Sequence, residues 1–166
     1  MKVLFAILLT LPILIWGTFR VTNSILFDKD CEGYLKRAAD ANTVAQAEKE
    51  LTIALAYMEG HGLTKGYTSV IYQTPDEDIA FWYNNIKSAK AELEKVTDET
   101  TALERTNMLM KLRETLLDNG EKKDNVTVPA GISIYPNNVT YTWLGLLSLL
   151  CLLASFYLWF LVGDEY

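Results

Sequence analysis

Trp143 to Val162 is a run of 20 residues with neither a charge nor a proline, and nothing else in the chain restricts its folding so sharply. At 1.5 Å rise per residue such a run makes a helix about 30 Å long, the thickness of a bilayer's hydrocarbon core. A helix that is apolar all round has no stripe to turn towards water, which favours a membrane span over the core helix of a soluble protein. Tyr141 and Trp143 stand at one end and Trp159 and Tyr166 at the other, where interfacial aromatic belts are expected. Gly145, Ser148 and Ser155 recur at spacings of three and seven, which predicts a strip of small side chains for a close helix contact.

The opposite end repeats the pattern more weakly. Val3 to Phe19 is apolar apart from Thr10 and Thr18, a stretch of roughly 25 Å as a helix. Val21 to Phe27 prolongs it past Arg20, whose long side chain reaches towards the headgroups. Pro12 removes a backbone donor, so a kink is expected there. A basic start followed by an apolar stretch also describes a cleaved signal peptide. Against that, Trp16-Gly17-Thr18-Phe19-Arg20 offers no small-x-small cleavage site and no Leu-x-x-Cys lipobox occurs, so a retained anchor is the expectation.

These two ends divide the chain into an N-terminal transmembrane anchor (1–27), an acidic helical domain (28–138), and a C-terminal transmembrane helix with a short acidic tail (139–166). Lys2 is the only charge before Arg20, and nothing between Asp124 and Asp164 is charged, so the ionic residues are concentrated in the middle. A formal net charge of −6 speaks against a nucleic-acid-binding surface, and half the residues being hydrophobic speaks against disorder. Two spans put both termini on one side. Lys2 favours a cytoplasmic N-terminus, while Arg20, Lys29, Lys36 and Arg37 pull the other way, and a long insert is only loosely bound by the charge rule. The expected arrangement has the central domain on the outer side and both termini cytoplasmic. Cys31 has no partner outside the spans, since Cys151 lies within one, so redox compartment is left open.

Within the middle, Thr43-Val44-Ala45-Gln46, Thr74-Pro75-Asp76-Glu77 and Thr101-Ala102-Leu103-Glu104 each match a capping box and each opens an amphipathic run. The first run carries Leu51, Ala54, Leu55 and Met58, extended backwards by Tyr34, Leu35, Ala38, Ala41 and Ala45. On the second, Ile79, Trp82, Ile86, Ala89 and Leu93 recur at steps of three and four, and the third shows Leu103, Met110 and Leu117 beside Leu109, Leu112 and Leu116. Gly60 and Gly62 stop the first helix and Asn119-Gly120 the third. Short connections such as Val96 to Thr100 predict antiparallel neighbours. The expected fold is mainly α: two transmembrane helices flanking a small antiparallel helical bundle or helical hairpin. Two short extended segments, Gly66–Tyr72 and Val126–Tyr135, are β-branched and aromatic and would lie along the helices or pair with each other. Pro136-Asn137-Asn138 reads as a turn into the last helix.

Catalytic chemistry finds little to work with. One His and two Cys exclude an ordinary zinc site, and no Ser/His/Asp set stands at a telling spacing. His61, between Gly60 and Gly62, reads as a helix-ending turn residue. Asp76-Glu77-Asp78 is the densest acidic cluster, but a helix N-terminus draws carboxylates on electrostatic grounds alone. Asn125-Val126-Thr127 and Asn138-Val139-Thr140 match the glycosylation sequon. No cofactor or metal is expected.

The most unusual patch is Phe81-Trp82-Tyr83-Asn84-Asn85. Trp82 and Tyr83 belong to the apolar seam, but Phe81 falls on the side of Glu77, Asn84, Ser88 and Glu92. The plainer expectation is that Tyr67 to Tyr72 covers it; an open Phe81 would instead centre a partner-binding patch with Tyr57, Tyr67 and Tyr72 beside it. The function that follows is non-enzymatic: a two-span membrane protein serving as an accessory, assembly or interaction subunit through its helical domain. Its partners would be the lipid bilayer and another membrane protein or complex, with self-association as a further option. The alternative is a sensory or ligand-binding module signalling through a partner protein, since paired membrane helices around a helical domain are also the architecture of bacterial receptor inputs.

Overall fold

An apolar start with only one proline propagates as helix from the first described residues. The computed structural model describes residues 2–118, 125–132 and 138–163. Helix α1, Lys2–Phe27, carries Pro12 inside without ending there, and a π turn at Asp28–Glu32 leads into α2, Gly33–Ala39. Gly33 donates its N–H to Asp28 O, and a Cβ at this position would stand 3.2 Å from that same oxygen, so glycine suits the wider turn. The turn lets Phe27, Cys31 and Leu35, four residues apart, all reach one core. Then come α3, Val44–Gly60; α4, Ile79–Leu93; α5, Ala102–Leu116; and α6, Val139–Gly163. No strand occurs among the described residues.

The described residues fall into two compact units, one drawn from Met1–Ser24 and Asn138–Tyr166 and the other from Ile25–Asn137. In the first, α1 and α6 run in opposite directions: Ser155 Oγ donates to Ala6 O at 2.8 Å, Trp16 Nε1 to Tyr141 O at 3.0 Å, and Arg20 Nη1 to Asn138 Oδ1 at 3.1 Å. The small-residue strip forms the contact as its spacing predicts. Ser148 and Ser155 are buried, and a Cβ on Gly145 would sit 3.0 Å from the Trp16 ring. Arg20 also lies over the Tyr141 ring, and the Phe19 ring stands 5.8 Å from it. Apart from that strip, the large side chains of both helices point outward, and both helices are long and apolar enough to cross a membrane. Asn138, at φ +45°, starts the last helix by accepting Thr142 N–H; Pro136 and Asn137 lie outside the described residues.

The second unit closes a core of ordinary soluble type. Leu35 and Ala38 from α2, Leu51, Ala54 and Met58 from α3, Ile79, Trp82 and Ile86 from α4, and Leu112 and Leu116 from α5 are buried together, each large side chain contributing about 1.5–3 kcal/mol by leaving water. Phe27, at the end of α1, joins them against Tyr57 and Trp82. The second helix's seam is as its periodicity predicts. On α5 the pattern misleads: Leu103 and Met110 face solvent, because only the Leu112 and Leu116 side of that helix meets the core. Glu50 is buried within α3, with Oε1 held by Arg37 at 2.6 Å and Oε2 without a hydrogen-bond partner.

The three capping boxes differ. Thr101 and Glu104 form the full reciprocal pair, Glu104 N–H donating to Thr101 Oγ1 at 3.3 Å and Thr101 N–H to Glu104 Oε2 at 2.8 Å. Thr43 accepts from Gln46 N–H, which is half of the box. Thr74 and Glu77 bond to each other, but they enclose a single 3-10 turn, Pro75–Glu77, and α4 starts only at Ile79 with Asp78 as its cap. The delay has a cause: Glu77 O and Asp78 are drawn into an extended pairing with Thr68 and Tyr67, which keeps Asp78 out of helical geometry. Helix α3 ends at Gly60 as expected, with Gly62 at φ +70°; Asn119-Gly120 lies outside the described residues. Among the described residues the extended segments pair not with each other but with their own neighbours, Tyr67 with Asp78 and Val126 with Leu117. Trp82 Nε1 donates to Thr127 O at 2.9 Å, holding the second segment over α4. Its remainder, Ser133 to Tyr135, lies outside the described residues.

Candidate interaction site

The start of α4 and the loop before it form one pinned structure. Ile79 N–H donates to Gly66 O at 2.9 Å and Thr68 N–H to Glu77 O at 3.1 Å, so the loop's base is fixed to the helix. Inside it the Ser69 hydroxyl donates to Tyr72 O, and Thr74 Oγ1 reaches Glu77 Oε2 at 3.0 Å. Asp78 Oδ1 then accepts the N–H groups of Ala80 at 2.8 Å and Phe81 at 3.2 Å, which sets the first turn of the helix. This is a loop closed by its own polar groups, with its tip left to solvent.

The tip and the first turn of α4 expose large apolar side chains. Ile71 is 92% exposed, Tyr72 78% and Phe81 69%. The expectation that residues 67–72 cover Phe81 is therefore wrong. Having bound its backbone to Glu77, Asp78 and Ile79, the loop leaves its largest tip side chains facing outward. Of the four residues nominated for an open patch, Phe81 and Tyr72 are on the surface, while Tyr67 is half-buried in the loop's base. Tyr57 is half-buried elsewhere, its ring 6.2 Å from Phe27 and stacked at 4.0 Å on His61. Its hydroxyl is buried without a hydrogen-bond partner, and burial, helped by Cys31 and Asp30, pushes the phenol up to about 12. Ile71 was missed, because in sequence it looked like the part of an extended segment that packs inward.

The charges beside the patch are all of one sign. Hydrogen bonds from the Thr74 side chain and its own backbone hold Asp76 below the usual carboxylate range. Those from Ser69 and Thr74 do the same for Glu77. Both are ionised at neutral pH. Elsewhere in this unit acids meet bases: Glu92 with Lys111 at 2.8 Å, Asp40 with Arg113 at 2.8 Å, Glu94 with Lys90. Among the described residues no ion pair involves Asp76, Glu77 or Asp78.

Other candidates resolve locally. His61 caps the C-terminal end of α3, its Nδ1 2.9 Å from Tyr57 O. Asn138 is buried and bonded to Arg20, whereas Asn125 is exposed. No cluster of three His, Cys, Asp or Glu able to hold a metal occurs among the described residues. A groove of about 830 Å³ lies among Thr43, Glu48, Glu94, Thr97 and Arg105, with Arg105 Nη2 donating to Thr97 O at 3.0 Å and Asp98 O at 3.3 Å. No protein-family model matches this chain, and comparison with the curated proteins and with the solved structures finds no match either.

Proposed function

We propose that this chain is a two-span membrane protein without catalytic activity, acting as an accessory or assembly subunit whose antiparallel helical domain contacts a partner in the same membrane. The carrying observation is the outward face of the α1 and α6 pair. Leu8, Leu14, Leu150 and Phe160 are all exposed although the two helices are packed together, and in water such a surface would aggregate. Hydrocarbon is the solvent that suits it, and in hydrocarbon the helix bonds satisfy the backbone internally. The central domain would then stand on the outer side with both termini in the cytoplasm. For the accessory role the support is the open apolar loop tip on a domain whose own core is already closed.

The test is fractionation followed by partner identification. The protein should sediment with membranes and resist alkaline carbonate. In mild detergent it should co-purify with a defined membrane protein at fixed stoichiometry, and protease added from outside should reach the central domain. Recovery in the soluble fraction would overturn the membrane reading; recovery from membranes as a free monomer would overturn the accessory role. The sensory alternative draws on the groove at Thr43, Glu48 and Arg105. A ligand there would raise the melting temperature of the purified protein, and a small-metabolite screen that leaves it unmoved removes that reading.

A further inference from the structure

We infer that the loop tip is a docking site for a basic, apolar-anchored segment of a partner protein. This rests on the accessory reading above and names the chemistry of its contact. Ile71, Tyr72 and Phe81, all exposed, supply the apolar anchors. Asp76, Glu77 and Asp78 supply the charge. They adjoin the anchors through bonds: Thr74, two residues beyond Tyr72, bonds through its hydroxyl to the Glu77 carboxylate at 3.0 Å, and Asp78 accepts the Phe81 N–H at 3.2 Å. No Lys or Arg occurs between Lys65 and Lys87, so every charge in this stretch of sequence is negative.

Charge decides among the occupants. A second copy meeting this patch with its own would set three carboxylates against three, and like charges across an interface are strongly unfavourable. An anionic bilayer surface would repel it for the same reason. A segment with Lys or Arg flanking one or two large apolar residues fits both parts, its cations meeting carboxylates positioned by the loop.

The experiment uses the full chain in its own membranes. p-Benzoylphenylalanine is placed at Tyr72, and in a second variant at Phe81, and the crosslinked peptide is sequenced after irradiation. The inference expects one segment of another protein with net positive charge, and a yield that falls about fivefold or more with Asp76→Lys and falls as salt is raised. Asp76 is fully exposed, and an unchanged melting temperature for Asp76→Lys keeps a folding defect apart from a docking defect. Crosslinks to a second copy, to lipid, to a neutral or acidic segment, or to nothing overturn it, as does a yield indifferent to Asp76→Lys. If a partner still co-purifies while these crosslinks fail, the docking site is wrong and the accessory role stands; if no partner co-purifies, the role itself falls.

Discussion

The two units bury opposite amounts of what looks like the same material. Leu51 and Leu150 are both leucines in mid-helix, yet one is wholly buried and the other 63% exposed. In the α1 and α6 pair the contact runs through Gly145, Ser148, Ser155 and Ala6, small groups that let backbones approach, with a few hydrogen bonds added. In the 25–137 unit large apolar side chains such as Leu35, Leu51, Met58, Ile79 and Ile86 are buried in the contact. The difference is what the proposed membrane setting of the α1 and α6 pair leads one to expect. Water drives large apolar groups inward, whereas lipid gives them no reason to hide and leaves close packing and hydrogen bonds to hold helices together.

The comparison breaks most visibly at a buried leucine. Leu51→Ala should cost the central unit about 3 kcal/mol in chemical denaturation, while Leu150→Ala should leave the stability of the α1 and α6 pair unchanged within error; equal effects would mean both units answer to the same solvent. Comparable in size, Leu150→Arg should reduce membrane integration by about 3–4 kcal/mol in an insertion assay, and an unaffected level would argue that this face never meets hydrocarbon. Thr101→Ala should remove about 1 kcal/mol from the central unit by uncapping α5, seen as a lower denaturation midpoint at constant slope. Bonds from Thr101 hold Glu104 below its ordinary value, and Lys111 does so for Glu92. Their stabilisation is therefore whole above the usual Glu value of about 4.3 and is lost below it, as pH falls through their lowered folded-state values. A melting temperature flat between neutral pH and strong acid would contradict this. The smallest effect belongs to Ser155→Ala, about 0.6 kcal/mol from the loss of its bond to Ala6 O, measured as helix-pair stability in detergent; a larger loss would mean that one polar contact holds the pair.

Much of this was legible from residue pattern. The two long apolar helices follow from uninterrupted runs, and the Gly145, Ser148 and Ser155 strip from a spacing that a straight helix places on one side. The seam of Ile79, Trp82, Ile86 and Leu93 was equally plain. Where the pattern failed, a local signal was outweighed by a distant one. Thr74-Pro75-Asp76-Glu77 has every mark of a helix start, yet the pairing of Tyr67 and Thr68 with Asp78 and Glu77 moved that start to Ile79. Leu103 and Met110 have the helical period of core residues, but a period says which residues share a face and not whether anything lies against it.

The candidate site shows the same division. Sequence nominated Phe81 because a large ring stood on a polar face, and that reasoning needs only helical geometry. It could not say that the loop would turn Ile71 and Tyr72 outward or that Tyr57 would be drawn to Phe27 and His61.

By itself, then, the sequence determined that the ends are apolar helices and that the middle is helical, because hydrophobic length and period act within a few turns of chain. Only the tertiary structure decided which apolar residues are left uncovered. Exposure depends on what other segment arrives, and at residues 66–79 backbone hydrogen bonds made that choice at the expense of covering the side chains.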